Sequence, residues 1–428
     1  MAPIKQKLLE IIQLRHFVLV CVLAGVVIRV VWIGLVHPPQ VVDFKWYYER
    51  AVSIASGDGY AVNRFPTAYW PVGYAGFLGA LFYVFGTSAL VGQLANVILS
   101  AATILLVYRL TQQIFQSETA ARITVFILCF YPNQIAYNSL LCTEIWFSCL
   151  LILGALLLIC ARGRLWLLAL CGLAWGLATL TKPQFIFLPA IFLLVFYANK
   201  RLLLKSAMVV YATILICVAP WLLRNERVFG KPLISTNGGI VLMQGNNPYA
   251  TGTYVWNDKI EALLGDLRNG DLGGGADEVA RDARARAIGE DYIRHHVERT
   301  VLLWPKKLMY GYRSDVDGFY YSMGMIQAPT NALKFLYVGL KAFAELYYLA
   351  VLALAAISLK LVLGSHTRPF AMGLFVTLYF TAICIVFYGL ARYHFPTMPW
   401  IAMYAGIGGS HILGAWRNSV PPAPNPVF

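Results

Sequence analysis

The sequence has few charged residues for its length. Asp, Glu, Lys and Arg make up 13% of the 428 residues, whereas hydrophobic residues make up 59%. A soluble globular domain carries about 25% charged residues. So little charge cannot cover a water-facing surface, which excludes an ordinary soluble domain. We therefore expect an integral membrane protein, with most of the chain facing lipid or other helices.

Cysteine is absent from the long polar part of the chain. All eight cysteines fall in apolar segments: Cys21, Cys129, Cys142, Cys149, Cys160, Cys171, Cys217 and Cys384. This placement argues against a disulfide framework. There is also no C-x-x-C pair to indicate a metal site. Nothing in the sequence indicates a cofactor, although a divalent metal stays open.

Two common binding patterns are missing as well. The net charge is +14, but the basic residues stand singly or in pairs between apolar runs, with no basic patch that contains aromatics. Nucleic acid is therefore not an expected partner. No strand–GxGxxG–helix segment is present to hold a nucleotide. We find no internal repeat, and the sequence does not settle the oligomeric state.

Long apolar runs, in contrast, are plentiful. Each predicted span is near the roughly 20 residues needed to cross a bilayer. The ten spans are 17–36, 88–111, 122–139, 142–161, 165–181, 184–199, 204–223, 335–358, 369–390 and 397–416. The first follows Lys5, Lys7 and Arg15 in the manner of a signal peptide, but no small-residue cleavage site follows it. We interpret it as an uncleaved helix.

The charges of the short loops predict the orientation. With the N-terminus inside, the cytoplasmic segments hold only two acidic residues, Glu10 and Glu118, beside 13 basic ones. These are Lys5, Lys7, Arg15, Arg109, Arg122, Arg162, Arg164, Lys200, Arg201, Lys205, Lys360, Arg368 and Arg417. Because cytoplasmic loops carry the excess of Lys and Arg, both termini should be cytoplasmic. The apolar segment 71–86 would invert this topology as a further span, so we expect it to lie at the outer face.

This topology divides the chain into four parts. They are an N-terminal transmembrane module at 1–223 with about seven helices and its first outer loop at 37–87, an extracytoplasmic region at 224–334, about three C-terminal helices at 335–416 and a cytoplasmic tail at 417–428. Within the extracytoplasmic region, the Gly, Asn and Pro content predicts irregular structure at 230–254. Residues 276–300 have the spacing of a charged helix, and 301–312 suit an interfacial helix.

Ionisable residues collect at the predicted outer ends of the spans. Asp43 follows the first span, Glu144 begins the fourth, Lys182 ends the fifth, and Arg392 and His394 follow the ninth. Such residues beside apolar runs are costly unless they are paired or line a cavity. Asp43 alone could be a helix N-cap, and the lysine and arginine could be membrane anchors. Together, two carboxylates and several cations at one face indicate an anionic substrate and an acid–base step.

Several segments of the chain resemble one family. They are D-x3-YY-x2-A (Asp43, Tyr47, Tyr48, Ala51), YWPVGYAGFLGALFYVFG, YNSLLCTE, LTKPQ, APWLLRNERVFGKPLISTNGGIVLMQGNNPYATGTY and ARYHFPTMP. They are spread from about residue 40 to residue 400. In this order they resemble the GT-C superfamily of polyprenyl-phosphate-dependent glycosyltransferases. The resemblance is closest to the branch with protein O-mannosyltransferases and bacterial lipid A aminoarabinose transferases.

The resemblance implies an all-α polytopic fold: a GT-C-like helix bundle with juxtamembrane helices and one large extracytoplasmic loop. It also implies that Asp43 is the catalytic carboxylate. Some family members have Asp-Glu in the first loop, whereas Phe44 follows here, so we predict that Glu144 supplies any second carboxylate. We predict that Lys182, Arg392 and His394 bind the donor phosphate. The predicted substrate pocket consists of Tyr47, Tyr48, Arg64, Tyr69, Trp70, Asn246 and Asn247.

We therefore expect an inverting transferase in a bacterial inner membrane, with its active site on the extracytoplasmic face. A polyprenyl-phosphate sugar would reach that face through lipid and would pass its sugar to a lipid, a surface glycan or a protein. Its phosphate needs cations, and the acceptor hydroxyl needs a base. One alternative is a transporter or flippase of lipid-linked saccharides, which would often show repeated halves. Another is a surface polysaccharide ligase or polymerase that uses a diphosphate donor.

Overall fold

The fold is almost entirely helical. The computed structural model describes residues 2–267, 277–324, 331–363 and 368–415. Within them, strands β1 (Ala61–Val62) and β2 (Phe65–Pro66) form one short antiparallel hairpin in the first outer loop. The predicted all-α polytopic fold class is confirmed. The predicted cytoplasmic tail at 417–428 lies outside the described residues.

The α-helices follow one another with short connections. In the N-terminal part they are α1 (Ala2–Gln13), α2 (Phe17–Leu35), α3 (Val42–Ala55), α4 (Val72–Phe85), α5 (Ala89–Phe115), α6 (Glu118–Cys129), α7 (Pro132–Ala136), α8 (Thr143–Ala161), α9 (Leu165–Thr181), α10 (Leu188–Phe196) and α11 (Lys200–Phe229). Beyond them are α12 (Gly238–Gly245), α13 (Asp258–Ala262), α14 (Asp277–His295), α15 (Val297–Tyr312), α16 (Asp317–Phe319), α17 (Asn331–Leu363), α18 (Met372–Val386) and α19 (Met398–Ile412). Short 3₁₀ turns lie at Tyr137–Ser139, Pro183–Phe187, Gly265–Leu267, Arg368–Ala371 and Ala391–Thr397.

Six helical segments of the described chain have the length and hydropathy needed to cross a membrane. They are α2, α5, α8, α11, Leu333–Leu361 within α17 and Pro369–Val386, which contains α18. Each coincides with a predicted span, and α9 and Pro183–Phe196 are apolar but shorter. The protein is therefore an integral membrane protein. The ten-span topology and the side of each terminus stay predictions.

The predicted span at 122–139 is not one continuous helix. Helix α6 ends at Cys129, and Pro132 begins the short α7. Proline has no N–H and cannot continue the hydrogen-bond ladder of the preceding turn. Breaking a helix inside an apolar bundle leaves the last carbonyl groups of α6 without intrahelical donors. These groups need other partners, because no water is present in the bilayer core.

Arg29, in the middle of α2, supplies two of the missing donors. Its Nη2 donates to the carbonyl oxygen of Leu128 at 3.0 Å and its Nη1 to that of Cys129 at 2.8 Å. The Tyr347 hydroxyl donates to the carbonyl oxygen of Ile127 at 2.8 Å. A cation at a helix C-terminus also complements the helix dipole. A charged residue inside an apolar span, such as Arg29, needs a partner. Its partner here is the end of helix α6, where the helix is broken.

Helix α8 is the centre of the bundle. In its most apolar window 72% of the residues are buried, compared with 22–39% in the other five spanning segments. It packs closely against α9, because a Cβ on Gly154 would lie 2.1 Å from Nε1 of Trp175. A helix that is mostly buried is held in position by the helices around it. Its first turn carries Glu144, which is therefore fixed relative to the neighbouring helices.

Helices α3 and α4 form a hairpin that rests on the end of α9. A Cβ on Gly73 of α4 would lie 2.5 Å from Oγ1 of Thr181, and a Cβ on Gly79 would lie 2.9 Å from Ile54 of α3. Only glycine allows these close approaches. The packing brings the first outer loop against the end of α9, where Lys182 follows. The segment 71–86 is thus a short helix, and its location at the outer membrane face stays a prediction.

The region at 224–334, which is predicted to be extracytoplasmic, is more regular than its composition predicts. The helices expected at 276–300 and 301–312 are present as α14 and α15. The expectation of irregular structure at 230–254 is wrong at Gly238–Gly245, where α12 forms, and is confirmed on either side of this helix. A Cβ on Gly239 would lie 2.0 Å from the carbonyl oxygen of Asp282, and the Gly239 N–H donates to Oδ1 of Asp282 at 2.6 Å. The glycine that suggested a loop instead allows α12 to contact α14.

One buried carboxylate ties this region to the first outer loop. Glu278 of α14 accepts hydrogen bonds from Oγ1 of Thr67 at 2.7 Å, from the N–H of Ala68 at 2.7 Å and from Oγ1 of Thr236 at 2.6 Å. Hydrogen bonds to a charged group are stronger than neutral ones. Helix α14 is therefore joined directly to the segment between α3 and α4.

Candidate active site

Arg392 is the centre of a charged network. It lies in the turn Ala391–Thr397, between α18 and α19. Its Nη1 is 2.7 Å from Oδ2 of Asp43. Its Nη2 and Nε are each 3.1 Å from Oε1 of Glu144. Residues that are far apart in the sequence, at 43, 144 and 392, thus meet at one point.

Lys182 completes this network. Its Nζ is 3.4 Å from Oε1 of Glu144, so one carboxylate oxygen contacts both cations. The Glu144 side chain is 1% exposed, whereas Asp43, Arg392 and Lys182 are 13–16% exposed. The other oxygen of Glu144, Oε2, is buried and has no hydrogen-bond partner in the described residues. The structure therefore brings together four of the five residues predicted for catalysis and phosphate binding.

Asp43 is not a helix cap. The N-cap of α3 is Val41, and no side-chain capping hydrogen bond is made there. Asp43 instead occupies the first turn, where the N–H groups of the helix favour a negative charge. The preceding residue, Val42, has φ of +47°, which is rare for a β-branched residue. Such backbone strain is typical of functional sites.

The charge of Arg392 is secured by its neighbours. Burial by itself would lower the pKa of this guanidinium, but the carboxylates of Asp43 and Glu144 raise it well above its ordinary value. The backbone N–H of Arg392 also donates to Oδ2 of Asp317 at 3.0 Å. Arg392 is thus a permanent cation that is held by both its side chain and its backbone.

His394 lies only two residues away but belongs to a different cluster. Its Nδ1 donates to the carbonyl oxygen of Gly311 at 2.6 Å, and its Nε2 is 3.4 Å from Oδ1 of Asp315. Its imidazole is stacked between the rings of Tyr312 and Tyr348, at centroid distances of 5.4 and 5.6 Å. The ring is fully buried. The structure does not bring His394 together with Lys182 and Arg392, and its predicted contact with a phosphate stays untested.

Asp315 is the charged partner in that second cluster. It accepts hydrogen bonds from the Tyr131 hydroxyl at 2.6 Å and from the side-chain amide of Asn133. The same asparagine accepts from the N–H of Gly318 at 2.7 Å. Burial lowers the pKa of His394, but Asp315 raises it, and the net effect is a pKa above the ordinary value of 6.5. The cluster is a buried ion pair surrounded by hydrogen bonds.

A cluster of aromatic rings lies on α3, the helix of Asp43, and on the segment before α4. Tyr47, one helical turn further along α3, is stacked on Trp70 with 5.5 Å between centroids and 27° between planes. Trp46 contacts both Tyr69 and Trp70. Burial, and next the charge of Asp43, raise the pKa of Tyr47 well above 10. Its hydroxyl therefore stays protonated and available as a hydrogen-bond donor.

The remaining predicted pocket residues have other surroundings. Tyr48 packs edge-on against Phe82 of α4, and Arg64 is exposed in the β-hairpin turn. Asn246 and Asn247 are buried at the end of α12. The Asn247 amide donates to the carbonyl oxygens of Met243 and Gln244. These contacts place the two asparagines in the scaffold, and their predicted contact with substrate stays untested.

Asn246 joins a buried lysine at the end of α18. The last two carbonyls of this helix accept from Nζ of Lys307 at 2.9 Å and from Nδ2 of Asn246 at 2.9 Å, while Nζ also donates to Oδ1 of Asn246 at 3.0 Å. Burial lowers the pKa of Lys307 to about 8. This arrangement caps α18 at Val386, a few residues before the turn Ala391–Thr397 that carries Arg392.

Sequence reasoning missed Asp315 and Asp317. Both lie in the segment D-V-D-G at 315–318, within a polar region that is rich in acidic residues, so composition alone did not distinguish them. Burial, and next the charge of Asp315, raise the pKa of Asp317.

Among the described residues, no group of three or more His, Cys, Asp or Glu side chains is arranged to hold a metal ion.

The fold has counterparts among known proteins. A family model described as dolichyl-phosphate-mannose-protein mannosyltransferase matches residues 70–223, which include Glu144 and Lys182 but not Asp43 or Arg392. The crystal structure of the oligosaccharyltransferase of Archaeoglobus fulgidus in the apo form matches with a TM-score of 0.53 and 14% identity. The match covers 93% of this chain and 50% of that chain. The fold is the GT-C fold.

Two further solved structures are similar to this chain. The same oligosaccharyltransferase, tethered by a disulfide bond to an acceptor peptide with the NVT sequon, matches with a TM-score of 0.51 and 15% identity over 92% of this chain and 49% of that one. This chain thus spans about half the length of that enzyme. ArnT from Cupriavidus metallidurans bound to undecaprenyl phosphate gives a TM-score of 0.45 and 14% identity over 92% and 78% of the two chains. No curated protein sequence matches.

Proposed function

We propose that the protein is an inverting membrane glycosyltransferase. It moves a sugar from a polyprenyl-phosphate donor to an extracytoplasmic acceptor. The observation that carries the proposal is the network in which Arg392 lies between Asp43 and Glu144 with Lys182 beside it. The transfer of a sugar from a lipid phosphate requires cations for the phosphate and a carboxylate that can accept a proton. This network has two cations and a partly exposed carboxylate at the end of an apolar bundle. The description of the matching family also names a lipid-phosphate sugar.

Each residue has a role in this mechanism. Lys182 and Arg392 bind the donor phosphate and stabilise the negative charge that it gains as the bond to the sugar breaks. Glu144, which is buried and contacts both cations, holds them in place. Asp43 accepts the proton of the acceptor hydroxyl. The phosphate is a good leaving group, so the mechanism needs no strong general acid.

The transfer balances without any further reactant. The acceptor oxygen forms a bond to the anomeric carbon from the face opposite the phosphate. The bond between that carbon and the phosphate oxygen breaks, and its electron pair stays with the phosphate. The hydroxyl proton moves to Asp43. Attack opposite to the leaving group inverts the anomeric configuration.

The surroundings of Asp43 support a sugar as the transferred group. Tyr47, Trp46, Trp70 and Tyr69 present rings on α3 and on the segment before α4. Aromatic rings combine a flat apolar face with a polar edge, which suits the C–H groups and hydroxyls of a sugar ring. The acceptor is a lipid, a surface glycan or a protein, and the region at 224–334 is the part of the chain that we expect to select it.

Incubating the purified protein with a panel of polyprenyl-phosphate sugars and candidate acceptors tests the proposal. Mass spectrometry should show that one donor is consumed and that free polyprenyl phosphate appears together with a glycosylated acceptor. If every donor stays intact while the protein moves lipid-linked saccharides across reconstituted vesicles, a flippase is the correct assignment. Consumption of diphosphate donors alone would point to the ligase or polymerase class.

A further inference from the structure

The formal charges of the network formed by Asp43, Glu144, Lys182 and Arg392 sum to zero before any phosphate is added. Asp43 and Glu144 carry two negative charges, and Lys182 and Arg392 carry two positive ones. All three side-chain nitrogens of Arg392 already contact a carboxylate oxygen. A donor phosphate placed beside these groups brings additional negative charge into a largely buried site. A phosphate that takes the place of one carboxylate on Arg392 keeps the site close to neutral and gains a direct, charge-assisted contact with the guanidinium.

The two carboxylates are not equally able to move. Glu144 contacts two cations and is 1% exposed, and it is part of the most buried helix of the bundle. Asp43 contacts Arg392 through one oxygen at 2.7 Å and is 15% exposed. It lies in the first turn of α3, next to the strained Val42. The contact of Asp43 is therefore the easier one to exchange.

We propose that the donor phosphate takes the place of Asp43 on Arg392, and that this exchange releases Asp43 to act as the base. The inference rests on the proposed function. In the structure, Oδ2 of Asp43 is occupied by its contact with Nη1 of Arg392. Once the phosphate occupies Nη1 of Arg392, that carboxylate oxygen is free to accept the proton of the acceptor hydroxyl. The base thus becomes active only when a donor is bound.

The exchange predicts that affinity for lipid phosphate rises when Asp43 is replaced, whereas a simple catalytic role predicts no rise. If Asp43 and the phosphate compete for Arg392, then Asp43→Asn removes the competitor and should bind lipid phosphate more tightly than the wild type. A carboxylate that only accepts a proton during the reaction would leave donor affinity unchanged. Since the competing contact is a charge-assisted hydrogen bond, the gain should be roughly tenfold.

The probe is undecaprenyl phosphate without a sugar, so that no reaction interferes with the measurement. Its dissociation constant should fall roughly tenfold in Asp43→Asn. The control is Glu49→Gln, which removes a carboxylate from the same helix that contacts Lys45 and Arg50 rather than Arg392. Its dissociation constant should stay within about twofold of the wild-type value. Asp43→Ser serves as a second variant if Asp43→Asn does not fold.

A double-mutant cycle separates competition for Arg392 from a general effect of charge. Competition through Arg392 predicts that Asp43→Asn gains no affinity when Arg392 is also replaced by Gln. A general electrostatic field predicts that the gain persists in that background, and this result would overturn the proposal. Equal or weaker binding by Asp43→Asn in the otherwise unchanged protein would overturn it as well.

The same measurements distinguish failure of the inference from failure of the proposed function. A wild-type protein that binds undecaprenyl phosphate and consumes a lipid-linked sugar, with no gain in Asp43→Asn, refutes the exchange alone. A wild-type protein that neither binds undecaprenyl phosphate nor consumes any lipid-linked sugar refutes the proposed function and the exchange together.

Discussion

The turn Ala391–Thr397 carries two charged residues with very different surroundings. Arg392 points into a network that is partly exposed and includes a carboxylate oxygen without a hydrogen-bond partner among the described residues. His394 points into a cluster where stacked tyrosines and Asp315 enclose it completely. In the sequence the two residues look alike, since both follow the same apolar run. The degree of burial distinguishes a side chain that is able to meet a substrate from one that is enclosed by the fold.

The difference also has a mechanical meaning. The His394 cluster connects the turn to α7 and to the segment at 315–318. Asp317 in that segment accepts from the backbone of Arg392. We therefore propose that the enclosed cluster supports the fold and that the open network contacts the substrate. Variants in the two clusters test these assignments, and their expected effects differ in size.

Asp315→Asn should destabilise the protein strongly. Removing one partner of a buried ion pair typically costs about 3–5 kcal/mol, because the other charge is left buried. The matched control is Asp291→Asn, which breaks an exposed histidine–aspartate pair with His295 on α14 and should cost at most about 1 kcal/mol. Thermal unfolding of the detergent-solubilised variants measures both effects. Equal shifts in Tm would show that the cluster at His394 is not a structural support.

Lys182→Ala and Arg392→Ala should each weaken donor binding. The loss of a charge-assisted hydrogen bond to phosphate corresponds to about 1.5–3 kcal/mol in binding free energy. Lys45→Ala, which removes an exposed lysine of the first outer loop, provides the comparison. Titration with undecaprenyl phosphate gives the three affinities. If both site variants bind as tightly as Lys45→Ala, neither cation holds the phosphate.

Stability should depend on pH through His394. Asp315 holds the pKa of His394 above 6.5, so the folded state binds a proton that the unfolded state has already released. The stabilisation is fully present below about pH 6.5 and is lost as the pH rises through the folded-state pKa. Tm measured from about pH 6 upward should therefore fall more in the wild type than in His394→Gln. Parallel curves would contradict a charged His394.

Asn246→Ala should affect stability more than catalysis. The variant removes hydrogen bonds to the end of α18 and to Lys307, at a cost of about 1–2 kcal/mol. Residual activity, scaled for folded protein, should show an unchanged KM for the donor. A large rise in KM with unchanged Tm would instead restore Asn246 to the substrate pocket that the sequence predicted.

Much of the fold was predictable because its main determinant is hydropathy. A run of about 20 apolar residues has one stable arrangement in a bilayer, so α2, α5, α8 and α11 match their predicted spans closely. The break between α6 and α7 was not predicted, although Pro132 signals it. Compensation for the break depends on Arg29, which is 100 residues away in the sequence from the carbonyl group of Cys129.

The candidate site was predictable in part for a similar reason. Charge beside an apolar run is expensive, and this cost alone distinguishes Asp43, Glu144, Lys182 and Arg392 in the sequence. The same argument cannot tell which charges face a substrate, so it also selected His394. It could not select Asp315, which lies in a polar loop, where a carboxylate carries no such cost and becomes buried only through tertiary packing.

The most direct test of this account is the turnover of Asp43→Asn in a protein that is shown to be folded. Asn resembles Asp in size but carries no charge and cannot accept the proton. Release of polyprenyl phosphate from the lipid-linked sugar should fall about 10²–10⁴-fold, while Tm stays near the wild-type value, and Glu144→Gln should lose less. Near-normal turnover in a well-folded Asp43→Asn protein would contradict the account and would leave Glu144 as the next base to test.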